Sequence, residues 1–364
     1  MSEVTTLDGA RVVVTGGAGF IGSHVVDALL RDRRPRSVTV VDDLTNGRRE
    51  NLATWSDDPR MALVVGDVRD RSVMDAVLED ADVVMHLACL GVRHSLHSPE
   101  ENHSVNADGS LTVGLAARDA GVRLLLHVSS SEVFGTAQYA PMDERHPTWP
   151  ETVYGGAKLA GEAYARAMGR TYGLPVIVAR PFNTYGTRSH HEGDSGEIIP
   201  RTIVRMLAGH APVLYGTGEQ TRDFMHVRDT AAGLVALAEC PAAIGETVNL
   251  GTGRELAMRE VCEVIADAVG RPDLAPELLP ARPGDVGRLM VDATRMEMLT
   301  GWAPRTELVD GIAELVSWFR ASGRTADELA AEASTTNWGR AVPAALRDGT
   351  TAGRVLAPAQ AASR

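Results

Sequence analysis

Tyr154 and Lys158 stand four residues apart in YGGAKLAGEAYARAM, a spacing that puts both side chains on one face of a helix. A phenol ordinarily loses its proton near pH ~10, and a neighbouring ammonium favours the phenolate. Such a pair can take a proton from a substrate hydroxyl close to neutrality. Lowering the phenol by ~3 units asks for ~4 kcal/mol of differential stabilisation, within reach of the lysine charge acting together with a cationic cofactor ring. Lys158 is the single lysine among 36 Lys and Arg residues. A bias toward arginine explains why lysine is scarce, but not why the one retained stands a helical turn from a tyrosine. Upstream, Ser130 and Glu132 are two residues apart. On a strand they share a face, which would bring a hydroxyl and a proton-accepting carboxylate to the same substrate.

A second group of residues suits phosphate. RVVVTG reads as a short β-branched strand and GAGFIGSHVVDALL as a helix entered through a glycine turn. Gly16, Gly19 and Gly22 are spaced by threes, and Gly17, Gly19 and Gly22 satisfy GxGxxG. Glycines permit the tight turn and close backbone approach, while the helix start offers unpaired N–H groups to a pyrophosphate. Gly16, Gly19, Phe20, Ile21 and Gly22 are therefore the candidate cofactor contacts. Asp42 follows Gly22 by twenty residues at the end of SVTVVDD, where a carboxylate accepts hydrogen bonds from both ribose hydroxyls. It would repel a 2′-phosphate, so NAD is expected over NADP, with Arg48 and Arg49 the nearby charges able to accommodate a phosphate.

The elements that must position these groups alternate. SVTVVDD, MALVVGD, ADVVMHLA, RLLLHVSS and LPVIVARPF read as strands, with helical stretches such as SLTVGLAARDAG between several of them. This is the pattern of an α/β Rossmann-type fold, a doubly wound parallel sheet, with a smaller C-terminal substrate-binding lobe. The alternation breaks after Phe182 into NTYGTRSHHEGDSGE. Residues 1–182 are expected to form the cofactor domain, with 225–250 returning to it. Residues 183–224 and 251–322 would form the lobe, and 323–364 a tail with no assignable chemistry.

Composition closes off other classes. The 364-residue chain is long enough for two such units, and its net charge of −12 with 4% aromatic residues speaks against a nucleic-acid groove of basic stripes and stacking rings. Cys89, Cys240 and Cys262 are too dispersed for a disulfide framework or a CxxC site, which suits a reducing compartment. No run approaches the ~18 apolar residues of a membrane span, and MSEVTTLDGA lacks a signal-peptide pattern, so a cytoplasmic protein is expected. His94, His97, His103, His190 and His191 lack metal-ligand spacing; no metal is expected.

TGGAGFIGSH, VVDDLTNGRREN, GDVRD, HLAC, SSSEVFG, YGGAK, ARPFNTYG, GEQTRDFMHV and RPGDVGR, in this order over roughly residues 10–320, resemble the extended short-chain dehydrogenase/reductases, specifically the NAD-dependent nucleotide-sugar epimerase/dehydratase family. The resemblance implies that Asp67 and Val68 border the adenine, that Lys158 also holds the nicotinamide ribose, and that Ser130 and Tyr154 touch the sugar 4-hydroxyl. It assigns Asn183, Arg222 and Arg282 to the nucleotide-sugar substrate, the two arginines facing the diphosphate, and it implies a homodimer. Hydride would pass from sugar C4 to NAD, giving a bound 4-keto sugar that can be epimerised, dehydrated or decarboxylated. Many simple 4-epimerases of the family resemble one another in having a small or neutral residue where Glu132 stands, so a carboxylate there favours an NDP-hexose 4,6-dehydratase. The alternatives are an NDP-sugar 4-epimerase and a UDP-glucuronate-type decarboxylase. Ser131 departs from those dehydratases that place an aspartate acid at that position. From another class, a non-catalytic NAD-binding sensor would have dispensed with Tyr154 or Lys158, and both are present.

Overall fold

The structure, a computed structural model, describes residues 6–334 apart from Pro283. Its first half is built of short apolar strands that pair in parallel: β1 (Arg11–Thr15), β2 (Ser37–Asp42), β3 (Met61–Val65), β4 (Val83–His86), β5 (Leu124–Val128) and β6 (Val176–Pro181). Between them run α1 (Phe20–Asp32), α2 (Arg71–Leu78), α3 (Val92–His97), α4 (Pro99–His103), α5 (Gly109–Ala120) and α6 (Val153–Tyr172). β4, β5 and β6 are buried along their whole length, as expected of parallel strands covered on both faces. One face packs on α1, with Val25, Val26 and Leu29 in its core. The other packs on α2, α5 and α6 through Met74, Leu78, Val113, Ala165 and Met168.

The chain then leaves the sheet through β7 (Asn183–Tyr185), α7 (Ile198–Leu207), β8 (Val213–Tyr215) and β9 (Thr221–His226). It returns with α8 (Val227–Ala238) and β10 (Thr247–Leu250), and leaves again for β11 (Glu255–Ala257), α9 (Met258–Val269) and β12 (Glu277–Leu279). β10 pairs with β6, giving a seven-stranded sheet in the order β10-β6-β5-β4-β1-β2-β3. Val235 and Leu234 of α8 join the same core as α1. β7, β9 and β11 make a separate three-stranded sheet, and β8 pairs with β12.

The last helices are α10 (Thr294–Thr300), α11 (Leu308–Arg320) and α12 (Ala326–Glu332). α12 falls within the expected tail, residues 323–364. Thr325 and Glu328 form a reciprocal capping box, and Leu329 and Ala333 enter the core that α7, α9 and α11 share. The remainder of the expected tail, 335–364, lies outside the described residues. Among the described residues no helix is long and apolar enough to cross a membrane.

Candidate active site

The residues expected to hold cofactor, chemistry and substrate, from Gly16 to Arg282, line one continuous cavity of ≈ 400 Å³ at the C-terminal ends of the parallel strands. This is where an open α/β sheet ordinarily binds its ligands. The glycine turn after β1 requires its glycines. Gly16 has φ +69°, and a Cβ there would stand 2.7 Å from the Ala88 backbone. A Cβ at Gly22 would collide with the Gly16 carbonyl. The resulting close cradle at the start of α1 fits a pyrophosphate. Asp42, at the end of β2, accepts hydrogen bonds from the backbone N–H of Ala18 at 3.0 Å and of Leu44 at 2.9 Å. Burial raises its pKa while these bonds oppose the rise, and its carboxylate remains on the cavity wall for a ribose. Asp67 and Val68 line the same end, Asp67 paired with Arg69 at 2.5 Å. Arg48, one of two arginines able to accommodate a phosphate, is instead ion-paired with Glu192. The residues present thus fit a dinucleotide of the NAD type.

α6 carries the chemical pair. Thr152 caps it by accepting from the Gly155 N–H at 3.1 Å, which puts Tyr154 in the first turn and Lys158 one turn later. Gly155 lets the helix approach closely, for a Cβ there would lie 2.5 Å from the Glu132 carbonyl. Farther along, Glu162 takes a two-pronged hydrogen bond from Arg180 of β6, both contacts 2.7 Å. This buried pair fixes the helix against the sheet. Lys158 donates its ammonium to the Val128 carbonyl at 2.6 Å, and burial lowers its pKa. Burial first, then Cys89, Glu132 and Glu197, push the Tyr154 phenol up, against a hydrogen bond with Ser130 that pulls it down.

Ser130 and Glu132 do not lie on a strand. β5 ends at Val128, and the Ser130 hydroxyl accepts from the Glu132 N–H at 3.2 Å, winding Ser131–Val133 into a 3-10 turn. The premise of alternate residues sharing a strand face fails there, yet Ser130, Ser131 and Glu132 all reach the cavity. Burial raises the Glu132 pKa, although Arg222, Arg282 and Arg93 pull it the other way.

On the opposite wall, Asn183 of β7 presents a buried Oδ1 that has no hydrogen-bond partner. Arg222 of β9 and Arg282 both donate to Asp285 Oδ1, at 2.9 and 2.5 Å. Asp285 lies in the RPGD segment and lines the cavity, so the two arginines are held together on one carboxylate.

Two cavity residues escaped the sequence reading. Arg93 of α3 has a buried Nε without a hydrogen-bond partner, and burial with the nearby Arg282 charge pushes its pKa down to about 10. Glu197, at the start of α7, is pushed by burial up to about 7 against the pull of Arg93 and His190. The only signal for either was a charged residue within a quoted or neighbouring motif, GVRHS or GDSGEIIP. Asn102 and Asn106 hold the backbone of Leu90 by bonds of 2.9 to 3.1 Å, which sets the segment leading to Arg93. His94 and His190 also line the cavity. Among the described residues no group of three His, Cys, Asp or Glu side chains is placed to hold a metal ion.

A family model described as GDP-mannose 4,6 dehydratase matches residues 13–315. UDP-glucose 4-epimerase of Mycolicibacterium smegmatis is 38% identical over 313 residues, 85% of this chain and 98% of that protein. dTDP-glucose 4,6-dehydratase of an Actinoplanes species is 34% identical over 319 residues, 86% of this chain and 98% of that protein. The crystal structure of DesIV, a dTDP-glucose 4,6-dehydratase from Streptomyces venezuelae with NAD and TYD bound, superposes with a TM-score of 0.81 at 34% identity, covering 86% of this chain and 97% of that one.

Proposed function

This chain belongs to the extended short-chain dehydrogenase/reductase family of NAD-dependent nucleotide-sugar epimerases and dehydratases, and from that premise we propose that it is an NDP-hexose 4-epimerase. NAD is its cofactor and, when bound, accepts and returns a hydride at sugar C4. Tyr154 takes the 4-hydroxyl proton as the hydride leaves, aided by Ser130, and gives it back after the keto sugar has turned its other face. Lys158, anchored on Val128, holds the nicotinamide ribose. Asn183 and the Arg222–Arg282 fork grip the sugar diphosphate, leaving the hexose free to rotate about it.

The observation that carries epimerisation is the residue next to Ser130. Position 131 is a serine that supplies no carboxyl acid for a departing 6-hydroxyl. The similarity to UDP-glucose 4-epimerase supports the same reading. One observation favours a second reading, 4,6-dehydration: Glu132 and Glu197 are two carboxyls in the same cavity as Ser130 and Tyr154, enough for a base and an acid. Incubation with UDP-, dTDP- and GDP-hexoses and with UDP-glucuronate, read by mass spectrometry and NMR, separates the outcomes. An isomer of unchanged mass supports the epimerase. Loss of one water establishes the dehydratase, and loss of CO2 from the uronate a decarboxylase.

A further inference from the structure

His190 and His191 stood out in the sequence without a role, and α12 lies beyond residue 315, where the family match ends. The structure joins the two. Glu332, in the last turn of α12, takes hydrogen bonds from Arg324 at 2.7 and 3.0 Å and places Oε2 3.2 Å from His191 Nε2. The latter contact has the distance of an ion pair but not the alignment of a hydrogen bond. His191 is 5% exposed and edge-on to Phe319 of α11. Its other ring nitrogen lies 3.2 Å from Glu192, whose carboxylate also accepts the His191 backbone N–H at 2.8 Å. Glu192 reaches across to Arg48, and the Arg48 N–H is bound to the Ala18 carbonyl at 3.0 Å, inside the glycine turn. A second bridge, Ser195 Oγ to Asn46 Oδ1 at 3.3 Å, runs in parallel, and Asn46, His190 and Ser195 line the cavity.

We propose that α12 is a brace for the cofactor cleft: Glu332, through His191, keeps Glu192 seated on Arg48, and so holds segment 190–195 closed over NAD between turnovers. Glu332 and His191 are positioning residues that do not touch the reacting atoms. The proposal rests on NAD occupying the cleft and is independent of which reaction follows oxidation. An exposed pair such as Arg48–Glu192 contributes little by itself. Its geometry is maintained because the Glu192 backbone is fixed beside a buried His191, and His191 in turn is fixed by α12.

The test uses the full-length protein loaded with NADH and follows cofactor release by fluorescence in stopped flow. Glu332→Ala is expected to speed release about five- to tenfold and to raise KM for the nucleotide sugar, with kcat at saturating NAD and the melting temperature unchanged. Glu332→Asp, which keeps the charge, restores most of the slow release. In an Arg48→Gln background Glu332→Ala adds nothing further, because both substitutions break one chain of contacts. His191→Gln, which leaves α12 intact, reproduces the acceleration. Unchanged release in Glu332→Ala, or effects of Glu332→Ala and Arg48→Gln that simply add, overturns the proposal. Inactivity toward every sugar nucleotide, with the release pattern intact, would count against the proposed reaction and not against the brace.

Discussion

Lys158 gives its ammonium proton to the carbonyl of Val128, 2.6 Å away, although it sits one helical turn from Tyr154. The protein by itself therefore keeps the phenol protonated: burial raises Tyr154 and lowers Lys158. If Tyr154 is the proton acceptor, a positive nicotinamide ring beside the phenol would supply the acidity that the folded chain alone withholds.

Tyr154→Phe removes the proton acceptor and keeps the ring. Turnover is expected to fall about 10²- to 10⁴-fold, with nucleotide-sugar affinity nearly unchanged. Substrate-dependent NADH absorbance reads the first and calorimetry the second; near-normal turnover would remove Tyr154 from the chemistry.

Asp42 lines the cavity beside the glycine turn, and Arg48 is occupied by Glu192. NAD is expected to bind at least about tenfold tighter than NADP, some ~1.4 kcal/mol, and Asp42→Asn to narrow the gap by removing the repelling charge. Fluorescence titration of both cofactors decides; equal affinities in the parent protein contradict the assignment.

Glu197 offers a test by pH. Burial raises its pKa from 4.5 to about 7, so the folded chain binds this proton more tightly than the unfolded one. Folding stability should fall as pH rises through that window, by up to ~3 kcal/mol if no other group compensates. Glu197→Gln, neutral throughout, is expected to flatten the profile between these pH values and to gain stability relative to the parent at pH 8. A melting series that shows parallel profiles would mean that Glu197 is ionised in the fold.

Glu132→Gln separates the two readings of the reaction. A 4-epimerase never removes the C5 proton, so the parent in heavy water should give an isomer without deuterium, and the amide should still support it. If deuterium enters at C5 and water is lost in the parent, while NADH accumulates in the variant, Glu132 is a base and the enzyme a dehydratase.

What the sequence made legible is local. The glycine turn, Asp42, Tyr154 and Lys158 are each placed by one element and its immediate neighbour, so spacing alone positions them. Arg93 and Glu197 come from separate elements, α3 and the start of α7, that line one cavity, and a single arginine in a chain rich in arginine carries no mark of burial. The Ser130–Glu132 segment misled for a different reason: its residues suit a strand, but the Ser130 hydroxyl captures the Glu132 N–H and competes with the ladder. TADELAAEA shows helical spacing, but Leu329 of α12 and the following Ala333 are all that this segment adds to the core, too few to show where it docks.

β10 stands at the edge of the parallel sheet, although β7, β8 and β9 come before it in the chain. With α10 packed back on the sheet core through Met296 and α11 in the other core, the polypeptide passes between the sheet and the lobe five times, and no single cut separates the two. Arg222 and Arg282, which share Asp285, belong to different excursions. Exchanging this wall of the cavity for that of a relative would require two grafts made at once, since either alone would join half of one arginine pair to half of another.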